Sequence, residues 1–160
     1  MSFSIEPIGY VRAGRASPED DFWGGSEAVI ELAPALGPEC LAGLEEFSHA
    51  EIVYVFDRVG SHQIVSGDRH PRGRTDWPKV GIFAQRGKNR PNRLGVTVVR
   101  ILGVTGRTLR VAELDAIDGT PVVDIKPVLR EFLPRDTVRQ PQWATELMRE
   151  YWAPGSDELT

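Results

Sequence analysis

The stretch Ile52-Val53-Tyr54-Val55-Phe56 decides the fold class, because an unbroken run of β-branched and aromatic residues favours a central strand. Shorter runs that suit strands occur on both sides of it. We predict these further strands at residues 5–11, 28–32, 80–84, 96–104, 108–114 and 121–125, with a tight connection at 103–106. Helical spacing of apolar residues occurs at 38–47 and at about 141–152. Many short strands and few helices predict a mainly β single domain over residues 1–160, built as a barrel or a curled sheet.

Length and composition bound the class of protein. The chain has 160 residues, of which 41% are hydrophobic and 26% are charged, so it can bury a core and is neither disordered nor fibrous. Its one cysteine, Cys40, cannot form an internal disulfide, which indicates a reducing compartment. The amino terminus lacks the basic start and apolar run of a signal peptide, and charges interrupt every window that could span a bilayer. We therefore expect a soluble, cytoplasmic protein.

Charge is distributed unevenly along the chain. The formal net charge is −4, which argues against a nucleic-acid partner. Residues 69–93, the basic segment, nevertheless contain eight basic residues and one acid, Asp76, and carry a net charge of +7. Salt confines charge interactions to about 8–10 Å, so the basic segment can attract phosphates although the rest of the chain is acidic. The residues that we expect to contact nucleic acid are Arg69, Arg72, Arg74, Lys88, Arg90 and Arg93. The alternative is a solvated loop that self-repulsion holds open.

Several common catalytic motifs are absent from the sequence. No G-x-G-x-x-G pattern follows a strand, so we do not expect a Rossmann nucleotide site. There is also no P-loop, no G-x-S-x-G elbow and no C-x-x-C pair. The spacing of His49, His62 and His70 matches no common zinc pattern, and we expect no metal site.

Two segments contain more polar and charged residues than a strand or a turn requires. Residues 81–96 read GIFAQRGKNRPNRLGV, which begins and ends as a strand around a stiff loop that is dense in hydrogen-bond donors. Residues 114–127 read LDAIDGTPVVDIKP, in which three aspartates flank an Asp-Gly-Thr-Pro turn. Residue types alone therefore predict a basic, glycine-containing loop and an acidic turn in a small β protein.

These two segments resemble the signature of the TsaA-like, or TrmO, family. Residues 81–95 match its G-[VI]-F-A-x-R-x-x-x-R-P-N-x-[IL]-G pattern, and residues 115–127 match its D-x-x-D-G-T-P-V-x-D-I-K-P pattern. Residues 44–49, LEEFSH, match a third motif, so the resemblance covers roughly residues 4–130. It implies a small, non-Rossmann β-barrel that binds S-adenosylmethionine, usually as a homodimer. Characterised relatives methylate N6 of N6-threonylcarbamoyladenosine beside the anticodon of certain tRNAs.

The resemblance also implies which residues form the site. The expected cofactor contacts are Phe22, Trp23 and Gly24, Asp57 and Arg58, Arg86 and Val96, and Asp118, Gly119, Thr120 and Pro121. The positive charges of the cofactor require acceptors such as Asp118, and its carboxylate requires Arg86 or a backbone nest. Trp23 is expected to cover the adenine or the sulfonium. If methyl transfer requires a general base, the catalytic candidates are Asp115 and Asp118.

The chain also departs from the family pattern. Residues 22–25 read Phe-Trp-Gly-Gly where the family often has Pro-Arg-Gln-Pro, and Asp57 stands where a histidine is frequent. Longer relatives carry an additional small domain after the barrel, and we expect the barrel alone here. Three hypotheses remain open: a tRNA methyltransferase, a methyltransferase that acts on another RNA or a small molecule, and a non-enzymatic module that binds S-adenosylmethionine or a nucleotide.

Overall fold

Six antiparallel strands close into a barrel in the computed structural model, which describes residues 1–155. The strands are β1 Gly9–Arg12, β2 Glu27–Leu32, β3 His49–Val55, β6 Leu94–Thr105, β7 Thr108–Ala112 and β8 Pro121–Pro127, and a separate two-stranded sheet is formed by β4 Asp68–Arg69 and β5 Val80–Gly81. Around the barrel the order is β1-β2-β7-β6-β3-β8. The predicted mainly β, non-Rossmann barrel is confirmed.

Strand β3, which contains the apolar run at residues 52–56, lies between β6 and β8. Ile52 is paired with Thr97 on one side and with Ile125 on the other. Burial alternates along β3, so Ala50, Ile52 and Tyr54 point into the barrel. The inward residues of the other strands complete the core: Val11, Ile30, Val99, Leu109, Val111 and Val122. Burial of each large apolar side chain contributes about 1.5–3 kcal/mol, and this core therefore holds the barrel closed.

Several strand ends differ from the predicted ones. The first strand begins at Gly9 rather than at residue 5, and the predicted strand 80–84 keeps two strand residues before Ile82–Ala84 turns into a 3-10 helix. Strand β6 continues to Thr105, and its hairpin with β7 turns at Gly106, where φ is +57°. Glycine adopts this left-handed backbone without a steric cost, so the turn falls later than the predicted connection.

The helices are shorter than the predicted ones. The region 38–47 forms two 3-10 helices, Pro38–Leu41 and Leu44–Glu46, because Gly43 has a φ of +86° and interrupts the helical backbone. Near the carboxyl end, α1 spans Gln142–Leu147 rather than residues 141–152. The chain beyond α1 continues in turns, and its carbonyl groups bond to another loop instead of extending the helix. Within residues 1–155, no helix is long and apolar enough to cross a membrane.

Candidate functional site

One end of the barrel, called the site end below, gathers residues from distant parts of the chain. Antiparallel pairing brings the carboxyl ends of β1, β3 and β7 beside the amino ends of β2, β6 and β8. The pairs Val55–Leu94 and Tyr54–Val122 illustrate this arrangement. All the positions predicted as cofactor contacts or catalytic carboxylates lie at these strand ends or in the loops that extend from them. The topology therefore groups segments that are separate in the sequence.

The carboxylate of Asp115 accepts hydrogen bonds from three hydroxyl groups. Its Oδ1 accepts from Tyr54, at 3.0 Å, and from Thr97, while its Oδ2 accepts from Tyr151. The donors belong to β3, to β6 and to the chain after α1, so three elements converge on one side chain. A carboxylate has about four acceptor positions, and three are used here. Within residues 1–155, one acceptor position on Oδ2 is not used by a side chain.

Both tyrosines of this cluster are held as neutral donors. Burial raises the pKa of Tyr54 and of Tyr151 well above the ordinary value, and the negative charge of Asp115 raises both further. The positive charge of the Arg86 guanidinium lowers both pKa values to a smaller extent. Arg86 also donates to the carbonyl of Val96. The site end thus combines a carboxylate, three hydroxyls and a guanidinium.

We expect Tyr54 and Tyr151 to remain protonated in the folded protein above pH 10.0, the ordinary pKa of tyrosine. The unfolded chain then loses protons first, so the free energy of unfolding falls as the pH rises above that value. Tyrosinate absorbance and circular dichroism, followed together through an alkaline titration, should show these tyrosines ionising with unfolding. A double variant, Tyr54→Phe with Tyr151→Phe, should lose that part of the absorbance change. Ionisation of both tyrosines in the folded state would contradict the burial described here.

The turn at residues 118–121 offers acceptors but no free backbone donor. The N–H groups of Asp118, Gly119 and Thr120 donate to carbonyls within the chain at 2.8–3.2 Å, and Pro121 has no N–H. This turn therefore forms no backbone nest for a carboxylate, and of the two expected anion partners only Arg86 remains a candidate. The side chain of Asp118 is exposed, and no residue in 1–155 donates a hydrogen bond to its carboxylate.

The loop at residues 22–24 is held by contacts within the chain. The guanidinium of Arg15 lies 3.6 Å from the centre of the Trp23 ring, which is only 4% exposed. The cation–π contact expected with a sulfonium is therefore made by Arg15. Arg15 also donates to the carbonyl of Phe22, whose ring is 43% exposed. Phe22 is thus the aromatic ring of this loop that is open to a ligand, and Gly24 is buried beside the chain that follows α1.

The remaining predicted contacts, Asp57 and Arg58, lie in an exposed turn directly after β3. Four further residues of the site end were not predicted from the sequence, namely Arg15, Tyr54, Thr97 and Tyr151. Their residue types are ordinary in strands and loops, so composition and spacing do not single them out. The one available signal is that Tyr54 carries the only hydroxyl in the apolar run at 52–56.

The basic segment uses many of its arginines to hold its own shape. Arg69 donates to the side chain of the buried Gln85 at 3.3 Å, and Arg90 donates to the carbonyl of the same residue at 2.6 Å. Arg93 donates to the carbonyl of Val59 at 2.6 Å. These acceptors are uncharged, so the bonds shape the segment without removing its positive charge.

Three other basic residues of the segment pair with carboxylates: Arg72 with Asp21 at 2.9 Å, Lys79 with Asp68 at 3.7 Å, and Arg74 with Asp76. The hydrogen bond from Arg74 holds the pKa of Asp76 below its usual range. Arg72 and Arg74 are therefore less available to phosphates than the sequence indicates. Within residues 1–155, the basic side chains of this segment that have no carboxylate partner are Arg69, Arg86, Lys88, Arg90 and Arg93. The part of the chain that the structure describes contains no cluster of His, Cys, Asp and Glu suited to a metal ion.

Fold and site together define a class: a small antiparallel β-barrel of non-Rossmann type, with a cluster of polar side chains at one end. The chain belongs to the family of the tRNA-methyltransferase O N-terminal domain, whose sequence model matches residues 16–132. The family membership inferred from the motifs is confirmed.

Known relatives differ in length. The chain is 36% identical over 145 residues to a probable S-adenosyl-L-methionine-binding protein of Pyrococcus abyssi, covering 87% of this chain and 75% of that protein. It is 33% identical to the human tRNA (adenine(37)-N6)-methyltransferase, covering 85% of this chain but 32% of that enzyme. The crystal structure of TrmO from Pseudomonas aeruginosa matches with a TM-score of 0.68 and 29% identity, covering 87% of this chain and 62% of that one. The activity of the longer relatives is therefore a proposal for this chain.

Proposed function

We propose that the protein is an S-adenosylmethionine-dependent methyltransferase acting on tRNA, at N6 of threonylcarbamoyladenosine beside the anticodon. The observation that carries this proposal is the Asp115 carboxylate, held by three hydroxyls near Arg86 at the same barrel end as the turn 118–121. The names of the relatives support it, since one is described as binding S-adenosyl-L-methionine and another as a tRNA methyltransferase.

The residues of the site end fit the charges of S-adenosylmethionine. Arg86 uses one N–H group on the Val96 carbonyl, and a guanidinium has several more with which to bind a carboxylate. The exposed carboxylate of Asp118 and the free acceptor position of Asp115 can receive an ammonium group. The exposed ring of Phe22 offers an apolar face for the adenine or the sulfonium.

When bound, S-adenosylmethionine supplies an electrophilic methyl group on a positively charged sulfur. The protein contributes mainly by orienting the acceptor nitrogen, since a near-attack geometry supplies a large part of a rate enhancement. The acceptor nitrogen must also lose a proton, and Asp115 and Asp118 are the proposed catalytic carboxylates. Three hydroxyl donors hold the Asp115 carboxylate in place, which suits it to holding an N–H group or a cation. Asp118, being exposed, is more accessible for receiving a proton.

The basic segment supports tRNA as the acceptor. We propose that Arg69, Lys88, Arg90 and Arg93 contact phosphates, because these residues have no carboxylate partner within residues 1–155. Arg72 and Arg74 contribute less, since each is already paired with an aspartate. A homodimer and a cytoplasmic location are further proposals. The family resemblance alone supports the homodimer, and the single cysteine supports the location.

Transfer of a labelled methyl group from S-adenosylmethionine to total tRNA, followed by mass spectrometry of the nucleosides, tests the proposed function. We expect the label in N6-methylated threonylcarbamoyladenosine. In Arg86→Gln, the loss of a charge-assisted bond should weaken cofactor binding by roughly tenfold in calorimetry. The control is Arg100→Gln, because Arg100 is exposed and its side chain forms no hydrogen bond within residues 1–155.

The possible outcomes separate the hypotheses. Label found only in free small molecules would assign a different acceptor, and cofactor binding without any transfer would assign a binding module. A wild-type protein that does not bind S-adenosylmethionine would reject both methyltransferase hypotheses. Equal affinities of Arg86→Gln and the wild type would remove Arg86 from the cofactor site.

A further inference from the structure

The chain from Gln142 to Pro154, called the C-terminal strap below, lies outside the residues matched by the family model and still contacts the site end. Three backbone hydrogen bonds join it to the loop at residues 22–24. The N–H groups of Phe22, Trp23 and Gly24 donate to carbonyls of the strap at 3.0, 2.8 and 3.1 Å. A parallel bridge between Gly24 and Pro154 continues this pairing. The strap therefore holds a loop that contains three predicted cofactor contacts.

Packing at Gly24 shows how closely the strap approaches. A Cβ atom at this position would collide with the backbone carbonyl of Trp152, so only glycine permits the contact. At the other end of the strap, the indole N–H of Trp77 donates to Glu146 at 2.8 Å. Trp77 belongs to the basic segment. The strap thus links the cofactor loop to the region proposed to bind tRNA.

The strap also reaches the centre of the site through Tyr151. Its hydroxyl donates to Oδ2 of Asp115, whereas Tyr54 and Thr97 both donate to Oδ1. Tyr151 is therefore the one donor of the cluster on the oxygen that keeps a free acceptor position. The half-buried ring of Tyr151 packs edge-on against Trp152, with ring centres 5.0 Å apart, which limits its movement.

We propose that Tyr151 is a positioning residue for methyl transfer. It orients the Asp115 carboxylate toward its ligand, and this orientation therefore depends on how the strap packs against the site end. The proposal rests on the proposed function, because it assigns Asp115 a role in the reaction. It extends the functional site beyond the family domain to a segment that neither the motifs nor the family model includes.

The test compares Tyr151→Phe with Tyr10→Phe in the full chain. Each variant loses only a hydroxyl, and the hydroxyl of Tyr10 forms no hydrogen bond within residues 1–155. We expect kcat of Tyr151→Phe to fall by about tenfold, because a carboxylate with one fewer anchor is less well oriented. The KM for S-adenosylmethionine should change less than kcat, because Arg86 and Asp118 keep their proposed contacts with the cofactor, and the loss of one hydrogen bond should lower the thermal unfolding midpoint only slightly. Tyr10→Phe should behave as the wild type in every assay.

A second variant, Gly24→Ala, displaces the strap through the backbone and keeps the Tyr151 side chain. We expect it to lose kcat to at least the same extent as Tyr151→Phe. A lower unfolding midpoint of Tyr151→Phe with an unchanged kcat would show a merely structural role and overturn the proposal. A wild-type protein that transfers no methyl group would overturn the proposed function and this inference together, whereas an active wild type with a fully active Tyr151→Phe would overturn this inference alone.

Discussion

The variant Asp115→Asn should fold and should transfer methyl groups at a single-turnover rate lower by about 100-fold or more. The asparagine amide keeps an oxygen that can accept from Tyr54 and Thr97, and it presents its NH₂ group to Tyr151. The Tyr151 hydroxyl can accept as well as donate, so the bonds of the cluster survive in altered form. The substitution does remove the negative charge of this side chain. Because the proposed function uses that charge to hold an N–H group or a cation, the rate should fall far more than the stability.

Single-turnover methyl transfer and thermal unfolding, measured on the same preparations, check this expectation. Asp136→Asn is the matched control, since Asp136 is exposed and lies between β8 and α1. A folded Asp115→Asn protein that works at the wild-type rate would remove Asp115 from the mechanism. Asp118 would then be the remaining carboxylate candidate, and Asp118→Asn the next variant to measure.

The variant Gly95→Ala should lower the free energy of unfolding by about 1–3 kcal/mol. Gly95 is buried on β6 beside Tyr54, and a Cβ there would lie 2.6 Å from the Tyr54 ring and 2.9 Å from Phe56. The two rings pack edge-on with centres 5.3 Å apart, so neither can move without disturbing the other. A displaced Tyr54 would also draw its hydroxyl away from Asp115. Methyl transfer should therefore fall together with stability.

Gly103→Ala is the matched control for this variant, because Gly103 lies on the same strand and a Cβ there meets no atom within 4 Å. Its stability should be unchanged or slightly higher, since alanine reduces the conformational freedom of the unfolded chain. Chemical denaturation of both variants provides the measurement. Equal stabilities of Gly95→Ala and Gly103→Ala would contradict the close packing at Gly95.

The strands were largely predictable, because alternation and β-branched composition are local properties of the sequence. Residues 28–32 and 121–125 fall within β2 and β8, and the run at 52–56 lies largely within β3. The helices were less predictable, since the apolar spacing at 38–47 suits one helix as well as two short turns. The left-handed backbone at Gly43 selects the turns. The strap departs from the predicted helix at 141–152 for another reason, because its carbonyls accept hydrogen bonds from a loop more than a hundred residues away.

The candidate site was also predictable only in part. The motifs and the family resemblance singled out Arg86, Asp115 and Asp118 because carboxylates and guanidinium groups are the side chains that recognise charged ligands. They did not reveal that Arg15 covers Trp23 or that the turn at 118–121 has no free N–H group. Both facts depend on which segments pack together. Local sequence patterns do not encode such contacts.

The sequence by itself determined the mainly β class, the family, the net charge of the basic segment and the residue types of the site. Only the tertiary structure decided which of those charges remain available and which groups hold Asp115. The physical reason is how far apart in the chain the interacting residues lie. Strand propensity and motif identity depend on residues close together in the chain. The hydroxyls of Tyr54, Thr97 and Tyr151 meet Asp115 only because the barrel closes and the C-terminal strap folds back over its end.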